Sequence, residues 1–280
     1  MHTKITHLMY VPFTGLGLYK GFRGNTWLKN RIEIFKKFVV PSLKAQTNQN
    51  FKIWISWRRE EKNNPIVREF VQYLENEAFS GIPGKVIHTF AGLCFYDDKY
   101  EDTEARSRLA TSLHASMAVL FDHLGECDYV LMTIQPSDDL YHQTAVEGIQ
   151  KILSSDQFDA LGFPNGYICN YHTGEVSEYN PTTNPPFYTI KFPKTTFIDP
   201  FKHAQFTALK IDSGKYKKGT PLPSHEYVGQ CLRYATANFR GFLVGTHGVN
   251  ISTTFTNPYK GVSINSEILK EFGLGIFPYL

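Results

Sequence analysis

Short apolar runs alternate along the first half of this chain with segments whose apolar residues recur at helical spacing. No other feature restricts the fold as strongly. Ile5 to Val11, Phe51 to Trp57, Val86 to Phe90 and Tyr129 to Ile134 read as strands. Thr26 can cap a helix from Trp27 that carries Ile32, Phe35, Phe38 and Val39 and is ended or kinked by Pro41. Pro65 suits a first helical turn, with Val67, Phe70, Val71 and Leu74 following at helical period. Glu104 to Leu124 puts Leu109, Leu113, Met117, Leu120 and Phe121 on one helix face, and Tyr141 to Leu153 reads as a further helix. Strands joined by helical crossovers imply an α/β fold with a mainly parallel sheet.

After Phe158 the texture changes. Phe158 to Pro164, Gly166 to His172, Glu175 to Tyr179 and Phe187 to Phe192 read as short strands between Gly, Asn and Pro turns. A last helix is expected from Ser224 to about Asn238, then a closing strand from Phe242 to Val244. With no repeat, low-complexity tract or linker, the expectation is one domain over 1–280. A half at about 1–140 is mostly parallel, and a half at about 141–280 is more antiparallel and loop-rich.

Composition narrows the class of function. A net charge of +3 over 280 residues, without a Lys/Arg block, gives no basis for nucleic-acid binding and suits an anionic small molecule. The four cysteines are scattered, without the paired spacing of a zinc site, and imply reduced thiols in the cytoplasm. No apolar leader or span of transmembrane length is visible, so the expected protein is soluble with no integral membrane segment. Aromatic residues make up 15% of the chain; such residues fill cores and also floor sugar and base sites.

Three residue sets can carry chemistry. The apolar strand 129–134 runs into Gln135-Pro136-Ser137-Asp138-Asp139. Ligands of α/β proteins gather at the carboxyl ends of strands, and adjacent buried carboxylates call for a cation, so Asp138 and Asp139 suggest a divalent metal and a phosphate-bearing substrate. The same Pro-Ser-Asp-Asp string also reads as a turn that caps the next helix. In Ser224-His225-Glu226, Glu226 is either a helix-start carboxylate favoured by the macrodipole or a general base, with His225 beside it. In Gly245-Thr246-His247-Gly248, His247 lies on a glycine-flanked loop able to approach a ligand closely and to bind metal. Arg106 and Arg108 stand out among the basic residues, which also include Arg31, Arg58 and Arg59, as bidentate phosphate contacts.

Taken together, the chain resembles the rhamnosyltransferase family of glycosyltransferases. The residues that carry the likeness are Trp27, Arg31, Phe35, Pro41-Ser42-Leu43, Gln46-Thr47 and Phe51-Lys52-Ile53-Trp54-Ile55, then the strand-plus-Asp element, then His247 with Asn250. The resemblance implies an A-type nucleotide-sugar fold, a Rossmann-like mixed sheet flanked by helices with antiparallel additions. It implies transfer of a sugar, rhamnose by the family's label, from a nucleoside-diphosphate sugar to a glycan or other hydroxyl acceptor. Ser137, Asp138, Arg106 and Arg108 would hold the donor. Asp138, Asp139 and His247 would hold Mn2+ or Mg2+, and Glu226 with His225 would activate the acceptor with inversion. Tyr167, Tyr171, Tyr179, Phe187 and Tyr188 are expected as acceptor walls or as core. The chain departs at Pro136, where relatives carry an Asp, and this puts metal dependence in question. Two other readings are a sugar nucleotidyltransferase, for which Gly15, Gly17, Gly21 and Gly24 with Lys20 and Arg23 make a poor loop, and a non-catalytic carbohydrate-binding protein.

Overall fold

A computed structural model describes residues 3–14, 24–92, 114–200, 202–203, 225, 228–248 and 266–280. Within them lie two sheets. The larger has seven strands in the order β10-β6-β9-β4-β1-β2-β3. Its strands are β1 (Ile5–Val11), β2 (Lys52–Arg58), β3 (Val86–Gly92), β4 (Tyr129–Ile134), β6 (Ala160–Gly162), β9 (Tyr188–Pro193) and β10 (Tyr234–Thr236). Strands β1 to β4 are mutually parallel where they pair, and β9 runs antiparallel between β4 and β6. The fold is therefore mixed α/β, a large mixed sheet flanked by helices. The smaller sheet, β5-β11-β7-β8, comprises β5 (Leu140–Tyr141), β7 (Gly166–Asn170), β8 (Val176–Tyr179) and β11 (Phe242–Thr246).

Strand alternation divides the core. On β1, Met9 and Val11 face one apolar cluster while Leu8 and Tyr10 face another. The first cluster is filled by the helical run from Asn25 to Lys44, by Pro65–Tyr73, by Ala145–Leu153 and by the inner side of the smaller sheet. The second takes Met117, Leu120 and Leu124 from the helical residues 114–124. Between the central strands runs a buried polar row. His7 Nε2 meets Thr133 Oγ1 at 2.7 Å, Thr133 Oγ1 meets Thr189 Oγ1 at 2.6 Å, and Gln150 Nε2 lies 3.2 Å from His7 Nδ1. Among the described residues no helix is long and apolar enough to cross a membrane.

The structure corrects several expectations. Pro41 does not end its helix. The preceding turn, Phe35–Val39, widens to π geometry, which accommodates the ring and missing N–H of Pro41 as the helix continues over Val40–Lys44. The helix expected from Tyr141 begins at Ala145, because Tyr141 is drawn into β5 by pairing with Phe242. The helix expected over 224–238 is helical at Val228–Cys231, and Tyr234–Thr236 pairs instead with β6 as a strand. The start of the helix expected over Glu104–Leu124 lies outside the described residues.

Candidate functional site

The large sheet fixes where a ligand belongs. From β1 the chain moves to one side for β2 and β3 and to the other for β4, so strand order reverses between β1 and β4. Ligands of open α/β sheets bind outside the carboxyl ends of the strands at such a reversal. The carboxyl end of β4 delivers Gln135 to Asp139 to this point.

That turn is stapled on all sides. Tyr141 Oη donates to the Ile134 carbonyl at 2.7 Å and closes the loop across its base. Gln135 Nε2 donates to the carbonyls of Pro136 at 2.9 Å and Asp139 at 2.8 Å. Ser42 Oγ reaches the Tyr141 carbonyl at 2.9 Å, and Gln46 Nε2 reaches the His142 carbonyl at 2.9 Å while its Oε1 accepts from Val146 N at 3.1 Å. The Pro-Ser-Leu and Gln-Thr block thus acts as a clamp on the backbone that follows the Asp pair.

Strand β11 brings the third partner. In the antiparallel register of β5 with β11, Leu140 faces Leu243 and Tyr141 faces Phe242, so Gly245 falls opposite Asp138. Gly245 N donates to Asp139 Oδ1 at 2.9 Å, and His247 Nε2 reaches Asp138 Oδ2 at 3.0 Å. A side chain at Gly245 has no room: its Cβ would overlap the Tyr171 ring and lie 2.5 Å from the Asp138 carbonyl oxygen. Asp138 and His247, separated by more than a hundred positions, lie within hydrogen-bonding distance.

Arg31 completes the cluster. It projects from Asn25–Ile34, is only 3% exposed, and forms an ion pair through Nη1 with the same Asp138 Oδ2 that His247 meets. Its guanidinium also sits 5.4 Å from the Trp27 ring centroid. Burial by itself would raise the Asp138 carboxyl, but Arg31 and the His247 hydrogen bond outweigh it and hold Asp138 below the usual carboxylate range. Asp139 goes the other way. Burial, and then the charge of Asp138 beside it, push it well above that range.

Arg31 stands in the sequence as one of several basic residues, ranked behind Arg106 and Arg108. Its signal was position. Arg31 lies one turn before Phe35 on the apolar face of an amphipathic helix, where a charge must find a partner.

The other candidates are distributed as follows. Ser137 is half-buried in the Asp turn. His225 donates from Nδ1 to the Asn184 carbonyl, in the connection between β8 and β9. Glu226, Arg106, Arg108 and Asn250 lie outside the described residues. Of the expected acceptor walls, Tyr171, Phe187 and Tyr188 are interior, with Tyr171 stacked on Phe38 at 3.6 Å and Phe187 on Phe242 at 4.0 Å. These three are core. A second buried acid, Glu61, accepts from Thr14 Oγ1 and from Arg58 N at 3.2 Å, just beyond the ends of β1 and β2.

A divalent ion at Asp138, Asp139 and His247 does not fit this arrangement. Among the described residues no three His, Cys, Asp or Glu side chains come together in a way that would hold one. Asp138 Oδ2 is shared by Arg31 and His247, and Asp139 Oδ1 by the Gly245 N–H.

Residues 21–61 match the family model described as "Putative rhamnosyl transferase". The matched segment contains Arg31, the Pro41-Ser42-Leu43 block and Gln46, that is, the residues that pair with Asp138 and clamp the turn. No curated protein matches the chain. Among solved structures it is similar to TarS 1-349 of S. aureus in complex with UDP-GlcNAc, with 10% identity and a TM-score of 0.41 over 99% of this chain and 67% of that one. TarS 1-349 without that ligand gives 9% identity and a TM-score of 0.41, over 86% of this chain. The glycosyltransferase GlyE of Streptococcus pneumoniae gives 12% identity and a TM-score of 0.38 over 98% of this chain. The chain spans 60% of TarS 1-349 in one of these alignments and 61% of GlyE.

Proposed function

We propose that this protein is a glycosyltransferase that moves a sugar from a nucleoside-diphosphate sugar to a hydroxyl acceptor. The observation that carries the reading is the buried Arg31–Asp138–His247 cluster at the strand-order reversal, built partly from the segment that matches the rhamnosyl transferase family model. The strand-order reversal is where open α/β sheets bind their ligands, and the cluster holds the Asp turn in place there. Rhamnose is the donor sugar that the family description suggests. The free thiols of Cys127 and Cys169 accord with a reducing compartment, the cytoplasm.

The acceptor hydroxyl gives its proton to Glu226, its oxygen bonds to the anomeric carbon, and the bond from that carbon to the diphosphate oxygen breaks with its electrons going to the leaving nucleoside diphosphate. Transfer with Glu226 as a single base, without a covalent intermediate, would invert the anomeric centre. His225 would orient the acceptor, and Arg106 and Arg108 would take up charge on the diphosphate. No step is routed through a metal ion, because Asp138 is already held.

The test is release of free nucleoside diphosphate from a panel of sugar nucleotides, with and without glycan acceptors. The native chain should turn over at least one donor, and Glu226→Gln should lower kcat by about 10²- to 10⁴-fold. Absence of both turnover and ligand-induced thermal shift across the panel would reject the reading and leave a carbohydrate-binding protein.

A further inference from the structure

The carboxylate that a divalent ion would need is occupied from within the chain. Asp138 Oδ2 receives both Arg31 Nη1 and His247 Nε2. Arg31 rises from the buried face of its helix, beside Leu28 and Ile32, and is 3% exposed, so it cannot leave the pair without opening that face. A guanidinium keeps its proton at any working pH. Asp139 Oδ1 is committed to the Gly245 N–H, and the position two before Asp138 is Pro136, which has no carboxylate to offer. Three features thus disfavour a metal at the same point: the Arg31–Asp138 ion pair with its permanent cation, the Asp139 hydrogen bond to Gly245 N–H, and a proline at 136.

From these we infer that Arg31 stands in place of a divalent cation at Asp138, and that the site holds a nucleoside diphosphate without a metal ion. Arg31 is a positioning residue in this arrangement. It fixes Asp138, and Asp138 in turn accepts from His247 Nε2 and sets the orientation of the imidazole. The exclusion of an ion rests on the geometry alone; its meaning for the donor rests on the transferase reading.

Mn2+ alone, added to the full chain and followed through the EPR signal of the free ion, tests the first part. The native protein and Arg31→Lys, which keeps a cation at the site, should show no stoichiometric binding. Arg31→Met frees Asp138 and should bind Mn2+ at least tenfold more tightly than the native chain, a gain that should vanish when Asp138→Asn is added. A folding defect would not produce that pattern. Stoichiometric Mn2+ binding by the native chain that disappears in Asp138→Asn would overturn the inference. Absence of any gain in Arg31→Met over the native chain would equally overturn it.

Calorimetry with UDP, GDP and dTDP tests the second part. Equal affinity in EDTA and in Mn2+ is expected for whichever nucleotide binds, and binding only in Mn2+ would overturn it. If none of the three binds, the transferase reading fails while the Mn2+ titration still decides the ion.

Discussion

Gly245 shows how little slack the site has. Its Cβ position is filled by the Tyr171 ring and the Asp138 carbonyl, and Tyr171 Oη donates to that carbonyl at 2.8 Å. Tyr171 cannot yield easily, because it is fully buried and stacked on Phe38. Gly245→Ala should therefore destabilise the protein by about 1–3 kcal/mol, as overpacking in a filled core does. Gly275→Ala, where nothing lies within 4 Å, should be close to neutral in the same urea titration. Equal midpoints for the two variants would refute the crowding. The sequence revealed part of this site, since a strand-end carboxylate and a glycine-flanked histidine are each local signals. The pairing of Arg31 with Asp138 was not legible, because pairing is a three-dimensional property and the sequence shows only a charge on an apolar face. Tyr171 stood out merely as one aromatic among many, and nothing local distinguishes a ring stacked in the core from one lining an open wall.

At the scale of elements, what shaped each segment decided whether it could be foreseen. β1 and β4 fall at the expected residues, Ile5–Val11 and Tyr129–Ile134, because strands buried on both faces read as near-continuous apolar runs, broken here only by Thr6, His7 and Thr133. Tyr234–Thr236 was expected as helix, and only its pairing with β6 makes it a strand. Pro65–Tyr73 was legible at both levels, by its period and by its start. There Asn64 Oδ1 accepts from Ile66 N at 3.0 Å, an N-cap directly before a first-turn proline. Asn64→Ala should cost about 1 kcal/mol. The denaturant midpoint should fall with the slope unchanged, and an unaltered midpoint would show that the cap contributes nothing.

The whole molecule carries its acid sensitivity in neutral, buried histidines. Burial, with a smaller contribution from Lys85, lowers His7 to about 3, and burial lowers His88 to about 4. An unfolded chain protonates histidine near pH 6.5. Stability from these groups is therefore complete above about pH 6.5 and falls as pH drops, because the unfolded state takes up protons that the folded state refuses. Each should remove about 2 kcal/mol between pH 7 and pH 5, and His7→Gln should flatten the pH dependence of unfolding by roughly one proton. A slope identical to that of the native chain would exclude His7 as a source. The register of β5 with β11 has a consequence of another kind, for how such a chain can vary in length. One residue gained or lost within 135–141 or 242–247 would slide Gly245 past Asp138 and turn the inner face of β11 outward. Insertions and deletions in related chains are accordingly expected in turns such as 180–186 and barred from these two short stretches.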